Sequence, residues 1–373
     1  MEKIKIAVTG ADGFIGKNLI ANLSNNKMFE LRKITKENSS EDLKLSLADV
    51  DIVFHLAGVN RPESEQEFIT GNVDFTEEVL SILKQSTKPV KIILTSSAQA
   101  IADNSYGKSK LVAEDAVKSA SINSLIEAVI YRLPGVFGKW SKPNYNTVVA
   151  TFCYNVANNI PLDVRDTEYN LSLVYIDDVV ESFVKNITAE KSKNDFYYAH
   201  VPVHYDVTLG ELAKIISEFK DNRGTLVAPE VGNLLVKKLY STYLTFLPTD
   251  AFSYPLELKS DDRGNLFEWI KSKDFGQIFI STTKPGITRG NHYHHTKTEK
   301  FLVIRGEAEI KFRKIDSEEI ISYPVNGQQP TVVDIPSGYT HSITNVGDTE
   351  LITLFWANEI FDVNRMDTYF LDV

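Results

Sequence analysis

The sequence predicts two domains, an α/β domain with a parallel sheet followed by an all-β domain. Two observations lead to this prediction. At the start, the apolar strand Ile4 to Val8 runs through the turn Gly10 to Gly16 into a helix, the order of a strand–turn–helix unit. Near the end, Gly286 to Gly306 holds a His-x-His pair and a glutamate in an extended stretch, and Ile335 to Asn345 offers another histidine.

Composition limits the class of protein. The 373 residues, 43% of them hydrophobic, are enough for two packed domains. A net charge of −10 without any basic run argues against a nucleic-acid partner. The single Cys153 excludes a disulfide within the chain and suits a reducing compartment. There is no signal-peptide pattern and no apolar run of membrane-spanning length, so we expect a cytoplasmic protein without a membrane partner.

The glycine triad Gly10, Gly13 and Gly16 predicts a dinucleotide site. Glycines let the backbone turn tightly and approach a pyrophosphate, and the following helix offers free N–H groups and partial positive charge. A glycine-rich turn without a ligand is the alternative. The position between a strand and a helix favours the binding site.

The second strand, Phe29 to Ile34, ends among basic residues. A carboxylate at this place would bind the ribose 2′-hydroxyl of NAD, whereas cations suit the 2′-phosphate of NADP. Arg32, Lys33 and Lys36 therefore predict NADPH as the cofactor. A solvated basic edge remains the alternative, because acidic residues are also close.

A further apolar strand, Asp51 to Gly58, contains His55. A histidine in a buried strand is either a packed core residue or a catalyst. We expect the packed core residue, because the strand is apolar on both sides of it.

Tyr106 and Lys110 are four residues apart, so on a helix they share a face. An ammonium beside a phenol favours the phenolate and makes the tyrosine a better acid–base catalyst near neutral pH. A serine of the Ser96-Ser97 pair, at the end of the strand Val90 to Leu94, can hydrogen-bond the reacting oxygen.

These motifs resemble the extended short-chain dehydrogenase/reductase family that acts on nucleotide sugars, over Met1 to about Glu218. The resemblance implies a catalytic triad of Ser97, Tyr106 and Lys110, with Ser96 as the second choice of serine. Asn72-Val73 resembles another cofactor-side position of that family. The residues expected at the cofactor are Gly10, Gly13, Phe14, Ile15, Gly16, Arg32, Lys33, Leu56, Ala57, Tyr106, Lys110 and Pro134.

The polar stretch between Gly138 and Asp178 matches the part of that family that forms the sugar-nucleotide pocket. By this resemblance Asn144, Asn146 and Arg165 are expected to contact the substrate, with Lys142 and Tyr145 as further candidates. An ordinary polar surface is the alternative. The sequence does not separate the two residue by residue.

The connection between the domains is predicted near 245–250, giving domains 1–247 and 248–373. Thr208 and Glu211 form a capping-box pattern that opens a helix through Phe219. A second helix is expected between Gly232 and Leu247, which Pro248 breaks.

The histidine motifs of the second domain resemble the cupin family. His292 and His294 point to one face of an extended chain, Glu299 can return to that face, and His341 adds another imidazole. Three histidines and a carboxylate suit a divalent transition metal. The predicted fold class is thus an α/β Rossmann-type parallel sheet followed by an all-β cupin jelly-roll barrel.

Part of this domain also resembles the deoxysugar 3,5-epimerases, a cupin subfamily that acts on nucleotide-linked 4-keto sugars. The resemblance implies that Arg263 and Glu268 hold the substrate and that His292 is the catalytic base. A metal-bound His292 cannot accept a proton freely. His295 and Lys300 are then the nearest alternative bases by sequence.

Taken together, the two halves resemble the bifunctional CapF-type enzymes of capsular polysaccharide synthesis. The resemblance implies zinc in the cupin, a homodimer, and a UDP-2-acetamido-2,6-dideoxy-4-hexulose that the cupin epimerises at C3 and the reductase reduces at C4 with NADPH. Two alternatives remain open. One is a nucleotide-sugar reductase with a structural or dimerising cupin, and the other is a sensor of dinucleotide and sugar without enzymatic activity.

Overall fold

The computed structural model describes residues 3–189 and 195–373. They form two compact units, which we call the α/β unit and the β unit. The α/β unit contains Met1–Ser217 and Lys237–Pro248, and the β unit contains Glu218–Val236 and Thr249–Val373. The domain limits 1–247 and 248–373 remain a prediction, and residues 218–236 pack with the second unit.

The α/β unit alternates strands and helices. Its strands are β1 (Ile4–Thr9), β2 (Phe29–Ile34), β3 (Ile52–His55), β4 (Val90–Ser97), β5 (Ile126–Leu133), β6 (Gly135–Phe137), β7 (Asn170–Tyr175), β8 (Phe196–Ala199) and β9 (Tyr205–Thr208). Its helices are α1 (Phe14–Leu23), α2 (Ser40–Leu47), α3 (Gln66–Phe68), α4 (Phe75–Leu83), α5 (Ser105–Ser121), α6 (Val148–Ala157) and α7 (Ile176–Ile187). Helices α8 (Leu209–Thr225) and α9 (Leu234–Leu244) include residues of both units.

A six-stranded parallel sheet, in the order β2-β1-β3-β4-β5-β8, forms the centre of this unit. Its strands are nearly continuous apolar runs because helices cover both faces. Ile6 and Val8 of β1 pack on the side of α1 and α7, whereas Ala7 packs on the side of α2, α4 and α5. The predicted Rossmann-type sheet is confirmed.

The strand order reverses at β1, because β2 lies on one side of it and β3 on the other. At such a point the connections leave in opposite directions and open a crevice at the carboxyl ends of the strands. The glycine turn follows the carboxyl end of β1, and Leu56 and Ala57 follow that of β3. The topology thus places the candidate site at this edge.

The β unit consists mainly of two antiparallel sheets, in the orders β10-β11-β12-β19-β14-β17 and β16-β15-β18-β13-β20. The strands are β10 (Lys259–Asp261), β11 (Gly264–Ser272), β12 (Gly276–Thr283), β13 (Thr288–Tyr293), β14 (Glu299–Arg305), β15 (Glu307–Lys314), β16 (Ile320–Asn326), β17 (Val332–Ile335), β18 (Tyr339–Asn345), β19 (Leu351–Ala357) and β20 (Tyr369–Phe370). The inner faces share one core, to which Phe301, Ile310 and Phe355 belong. The prediction of an all-β second half is confirmed.

The capping box before α8 is present. The backbone N–H of Thr208 donates to the Glu211 carboxylate at 3.0 Å, and the N–H of Glu211 donates to the Thr208 hydroxyl at 3.2 Å. The helix runs further than predicted, to Thr225, and the second expected helix is the shorter α9. In the described residues, no helix combines the length and the apolar character needed to cross a bilayer.

Candidate functional site

The glycine turn after β1 needs its glycines for two different reasons. Gly10 has a φ of +65°, and a Cβ there would lie 2.8 Å from the backbone of Ala57. A Cβ on Gly16 would lie 2.2 Å from the carbonyl oxygen of Gly10. The turn therefore packs against the end of β3 and opens directly into the N-terminus of α1, where backbone N–H groups can bind a pyrophosphate.

His55 lies beneath this turn, buried and hydrogen-bonded at both ring nitrogens. The Thr76 hydroxyl donates to the Asn72 carbonyl at 2.7 Å, so it accepts from His55 Nε2 at 2.9 Å. Nδ1 then accepts from the Thr9 hydroxyl at 2.9 Å. Burial lowers the pKa of His55 to about 3, so the ring is neutral. The expectation of a packed core histidine is confirmed.

Arg32 does not lie at the cofactor edge. Its guanidinium donates to Glu30 at 3.0 Å and to two backbone carbonyl oxygens at the C-terminal end of α2. Because α2 runs antiparallel to the strands, those carbonyls lie toward the opposite edge of the sheet. The structure thus does not support Arg32 as a phosphate ligand. Lys33 and Lys36 are exposed near the end of β2.

Ser96 and Ser97 point to opposite faces at the end of β4, as consecutive strand residues do. Ser96 donates to the fully buried Glu114 at 2.5 Å, and Glu114 also accepts two hydrogen bonds from Arg132. Ser97 instead shares a hydrogen bond with the Tyr106 phenol. The geometry favours Ser97 over Ser96 as the serine that reaches the reacting atoms.

Tyr106 and Lys110 lie one turn apart on α5, with Lys110 Nζ 6.0 Å from the centre of the phenol ring. The Tyr106 hydroxyl donates to Asn60 Oδ1 at 3.2 Å. Burial raises the pKa of Tyr106, and the hydrogen bond with Ser97 opposes this rise. Burial is therefore the dominant influence on Tyr106, and the net lowering of the phenol pKa that the sequence predicts is not found.

Lys110 is a buried cation, and burial lowers its pKa to about 8. Its Nζ donates to the Thr95 carbonyl oxygen over 3.5 Å and lies 2.7 Å from the position that a Cβ on Gly58 would take. The ammonium thus lies between the ends of β3 and β4. A ligand that brings hydroxyl or anionic oxygens to this edge would stabilise it.

Asn72 has a structural role in the described residues. Its side chain accepts from the N–H of Val59 at 2.8 Å and donates to the carbonyl of Val59 at 3.1 Å and to Ser109 at 3.0 Å. It therefore holds the loop after β3 against α5. The loop that Asn72 holds follows the carboxyl end of β3. A cofactor contact of Asn72-Val73 itself stays a prediction.

Pro134 follows β5, and the end of β5 pairs directly with the end of β4, where Ser97 lies opposite Leu133. It therefore lies at the carboxyl edge of the sheet, next to the Ser97–Tyr106 pair. A contact of Pro134 with the cofactor stays a prediction.

Asn144 and Asn146 belong to one turn before α6. The Asn146 side chain accepts from the N–H of Lys142 at 2.6 Å, and the carbonyl of Asn144 accepts from Arg61 at 2.6 Å. Asn144 has a φ of +57°, a conformation in which asparagine is among the tolerated residues. Arg165 is 88% exposed and pairs with Asp163.

In the β unit, four side chains converge. One ligand atom each from His292, His294, Glu299 and His341 lies within 4.8 Å of all the others. His292 lies opposite His341 in the β13–β18 pair, while Glu299 belongs to β14 of the other sheet. The cluster therefore forms between the inner faces of the two sheets.

A β-bulge directs His292 into the cluster. The register of β13 and β18 shifts between Gly290 and His292, and the extra residue, Asn291, has a φ of +57°. A Cβ on Gly290 would lie 2.6 Å from the carbonyl oxygen of His341. The Arg-Gly-Asn-His sequence is thus the local signal for this bulge.

The tautomers of two histidines follow from their partners. Nδ1 of His294 faces the carbonyl oxygen of Asp367, and Nδ1 of His341 faces that of Tyr339 at 3.4 Å. A carbonyl only accepts, so in the neutral rings Nδ1 carries the hydrogen and Nε2 offers a lone pair. Both Nε2 atoms lie 3.4 Å from Glu299 Oε2.

The centre of this cluster therefore gathers electron-pair donors. Nε2 of His341 is buried and makes no hydrogen bond to any residue that the structure describes. A cation relieves such an arrangement, and imidazole nitrogens with one carboxylate oxygen are a donor set that Zn²⁺ accepts. The residues fit a divalent metal.

The charges of the cluster also suit a metal. Burial, with His341 and His294 nearby, lowers the pKa of His292 to about 4. Burial alone would raise the pKa of Glu299, but the His294 and His341 rings beside its carboxylate and the Lys297 ammonium hold it well below its usual range. A neutral His292 and an ionised Glu299 are in the protonation states that bind metal.

Glu268 shares the inner face with this cluster. Across the sheet it lies opposite Phe279, which pairs with Phe355, which pairs with Phe301. The Phe301 ring is 5.7 Å from the His341 ring. Glu268 is therefore placed where it can contact a ligand held inside the two sheets.

Lys271 is an inner-face residue that the sequence did not indicate. A bulge after Glu268 turns Lys271 to the same face, where its Nζ lies 2.9 Å from the Glu268 carboxylate. Arg263 is bonded to Asp261 in the β10–β11 turn and is about half exposed. The hydrogen bond with Arg263 lowers the pKa of Asp261 to about 2.

The two alternative bases point away from the cluster. Lys300 alternates with the inward Glu299 and Phe301, and its Nζ binds Asp334 on the outer face. The His295 ring packs edge-on against Tyr369. Neither side chain lies with the four clustered ones, so both suggestions are wrong.

Both halves of the chain match known families. Residues 6–198 match the NAD dependent epimerase/dehydratase family, and residues 259–369 match the polysaccharide biosynthesis C-terminal domain. The first match spans more than half of the chain. The chain therefore belongs to the NAD dependent epimerase/dehydratase family, and this family supports a nicotinamide cofactor.

Over nearly its whole length it is a CapF-type member. It is 46% identical to the capsular polysaccharide assembling protein CapF from Staphylococcus aureus, with a TM-score of 0.92 over 99% of this chain and 100% of that one. A CapF structure with the inhibitor 3-isopropenyl-tropolone is 42% identical, with a TM-score of 0.88 over 99% and 100%. The UDP-2-acetamido-2,6-beta-L-arabino-hexul-4-ose reductase of Pseudomonas aeruginosa is 43% identical over 98% of each chain. The resemblance seen in the sequence is confirmed.

Proposed function

We propose that the chain is a bifunctional enzyme acting on a UDP-2-acetamido-2,6-dideoxy-4-hexulose. The β unit inverts C3 of the sugar, and the α/β unit reduces the C4 ketone with NADPH. The product is a 6-deoxy amino sugar nucleotide of the route to UDP-N-acetyl-L-fucosamine. The observation that carries the proposal is the presence of two chemically different sites, each with groups suited to one of these steps.

In the reduction, a reduced nicotinamide dinucleotide held at the glycine turn would supply the hydride for C4. Ser97 hydrogen-bonds the ketone oxygen, and Tyr106 donates the proton that neutralises the developing alkoxide. The Lys110 ammonium then stabilises the phenolate that remains. Ser97, Tyr106 and Lys110 are proposed on their common position at the carboxyl edge, next to the glycine turn.

In the epimerisation, the C4 ketone acidifies the C3 proton, because the carbanion that forms is an enolate. A zinc ion held by His292, His294, Glu299 and His341 would supply Lewis-acid stabilisation of that enolate. His292 is then occupied as a ligand. Glu268 and Lys271, both on the inner face, replace His295 and Lys300 as candidates for proton transfer.

The two steps belong together chemically. Epimerisation at C3 is reversible as long as the ketone is present, whereas reduction removes the acidifying group and fixes the new configuration. The preference for NADPH is supported by the exposed Lys33 and Lys36 near the end of β2. The homodimer is proposed on the resemblance to CapF and is tested by light scattering.

One observation favours a second function. The Pseudomonas aeruginosa relative is named as a reductase alone. In that case the chain reduces the ketone, and the β unit with its metal has a structural role.

The test is incubation of the UDP-4-keto sugar with the protein in D₂O, with NADPH added afterwards, and NMR of the products. The proposal expects deuterium at C3 before NADPH is added and a reduced C4 afterwards. Metal-stripped protein is the control. Reduction without deuterium at C3 would support the second function, and dinucleotide binding without either reaction would support a sensor.

A further inference from the structure

The C-terminal segment from Asp367 to Asp372, here called the strap, crosses the metal-ligand strands. Its strand β20 pairs with the end of β13, where Phe370 lies opposite His292. The Leu371 N–H donates to the Asn291 carbonyl at 3.0 Å. The Leu371 carbonyl accepts from Thr340, the residue before His341. The strap thus joins the backbones on which two candidate ligands are carried.

Asp367 makes the most contacts with the loop between His294 and Glu299. Its carboxylate accepts from the backbone N–H groups of His295, Thr296 and Lys297 at 2.9, 2.7 and 2.9 Å. It also accepts from the Thr296 hydroxyl at 2.9 Å. Three consecutive N–H groups on one carboxylate fix the conformation of that loop.

The backbone of Asp367 acts on His294 itself. Its carbonyl oxygen faces Nδ1 of that ring, so the hydrogen sits on Nδ1 and the lone pair of Nε2 points into the cluster. Partners that hold the second nitrogen of a ligand histidine fix its tautomer and ring orientation. One residue thus orients His294 through its carbonyl and the adjoining loop through its side chain.

We infer that Asp367 is a positioning residue for the metal centre, holding His294 and the loop to Glu299 in the metal-binding arrangement. The inference rests on the proposed metal site of the β unit. Other parts of the strap are fastened independently, since Arg313 donates to the Asp372 carbonyl at 2.6 Å. Loss of the Asp367 carboxylate should therefore loosen the loop while the strap stays attached.

The experiment compares zinc release from Asp367→Ala and from Asp362→Ala in the full-length chain. Asp362 is a matched control, because its carboxylate lies in the same region and accepts only the N–H of Asn364 among the described contacts. Zinc-loaded protein is mixed with an excess of a chelating dye, and the rate of release is followed. Melting temperatures of the metal-stripped proteins report any purely structural effect.

We expect Asp367→Ala to release zinc about 10–100 times faster than wild type and Asp362→Ala to match wild type. Thr296→Val removes one of the four hydrogen bonds to the carboxylate and should have a smaller effect in the same direction. If Asp367→Ala does not fold, the rate of zinc release from Thr296→Val tests the inference instead.

Three outcomes overturn the inference. Asp367 does not position the ligands if Asp367→Ala and Asp362→Ala release zinc at equal rates. If Asp367→Ala does not fold, the same conclusion follows from equal rates of zinc release in Thr296→Val and wild type. A lower melting temperature of metal-stripped Asp367→Ala with unchanged zinc release gives it a structural role only. If the wild-type protein binds no zinc, the metal site of the proposed function is overturned as well. The zinc content of the starting protein measures this independently of the release rates.

Discussion

The two candidate sites are electrostatically incomplete in opposite ways. In the α/β unit, the Lys110 ammonium is buried, and its Nζ makes one long hydrogen bond, to Thr95, among the described residues. In the β unit, the lone pairs of His294 and His341 converge on the Glu299 carboxylate. Among the described residues, Lys110 Nζ thus has a single, distant acceptor, and Nε2 of His341 has no donor. A buried group without its complement indicates the charge of the missing ligand.

The sites also differ in how the chain assembles them. Ser97, Tyr106 and Lys110 come from one strand end and the following helix, so they are close in sequence. The residues of the metal cluster come from strands of two sheets. His292 lies in β13, whereas His341 lies in β18, five strands later in the chain. A local change should therefore disturb the first site selectively, whereas the second depends on the packing of its whole unit.

The largest effect is expected from Tyr106→Phe. Ketone reduction should fall by about two to four orders of magnitude, because the alkoxide loses its proton donor. Deuterium exchange at C3 should stay as in wild type, since nothing in the β unit uses this phenol. NADPH oxidation and NMR measure the two steps. Tyr154→Phe, on α6, is the control, and loss of exchange in Tyr106→Phe would contradict a division of labour between the units.

His341→Gln tests the other side of the comparison. Loss of a residue that only hydrogen-bonds a ligand typically weakens metal binding about 10–100-fold. Removing the ligand His341 itself should weaken zinc binding by more than this. We expect C3 exchange to be lost in a folded protein, measured with zinc content and melting temperature. The exposed His204→Gln serves as control. Zinc loss with full exchange and an unchanged melting temperature would exclude both a catalytic and a structural role of the metal.

Lys110→Met should stabilise the α/β unit while abolishing its activity. The folded pKa of about 8 lies below the usual 10.5, so as pH falls the unfolded chain binds the proton first. The free energy of unfolding therefore falls between about pH 10.5 and 8 and stays lowered below pH 8. At pH 7 the free energy of unfolding of the variant should exceed that of wild type by about 1–3 kcal/mol. This difference should become smaller at higher pH.

Urea denaturation at about pH 7 and pH 9.5 measures this difference. The exposed Lys108→Met, on the same helix, should show no such gain. An equal stability of wild type and Lys110→Met at both pH values would mean that the buried ammonium is not costly.

The smallest effect concerns the cofactor. NADPH should bind about tenfold or more tightly than NADH, from one or two exposed cations at the 2′-phosphate. Replacing Lys33 and Lys36 together by alanine should remove most of the preference, whereas Arg32→Ala should keep it, because Glu30 already binds that guanidinium. Equal affinity of the wild-type protein for both cofactors, measured by fluorescence titration, would refute the prediction.

Sequence patterns were sufficient where the geometry is local. The Tyr106–Lys110 pair follows from the helical period, and the glycine turn follows from the order of strand, glycines and helix. They failed for Arg32, because its partners at the end of α2 are set by the packing of a helix on the sheet. They failed again for Lys300, whose direction depends on the strand register.

The sequence by itself determined the two fold classes, the glycine turn between β1 and α1 and the identity of the four clustered donors, since period, spacing and residue chemistry are written along the chain. The tertiary structure alone decided which serine faces Tyr106, how a bulge aims His292, and that Lys271 and Asp367 lie near the clustered donors. Those facts depend on strand pairing and on a C-terminal segment that returns to β13. Such pairings are long-range, and a one-residue change of register reverses the face of every side chain in a strand.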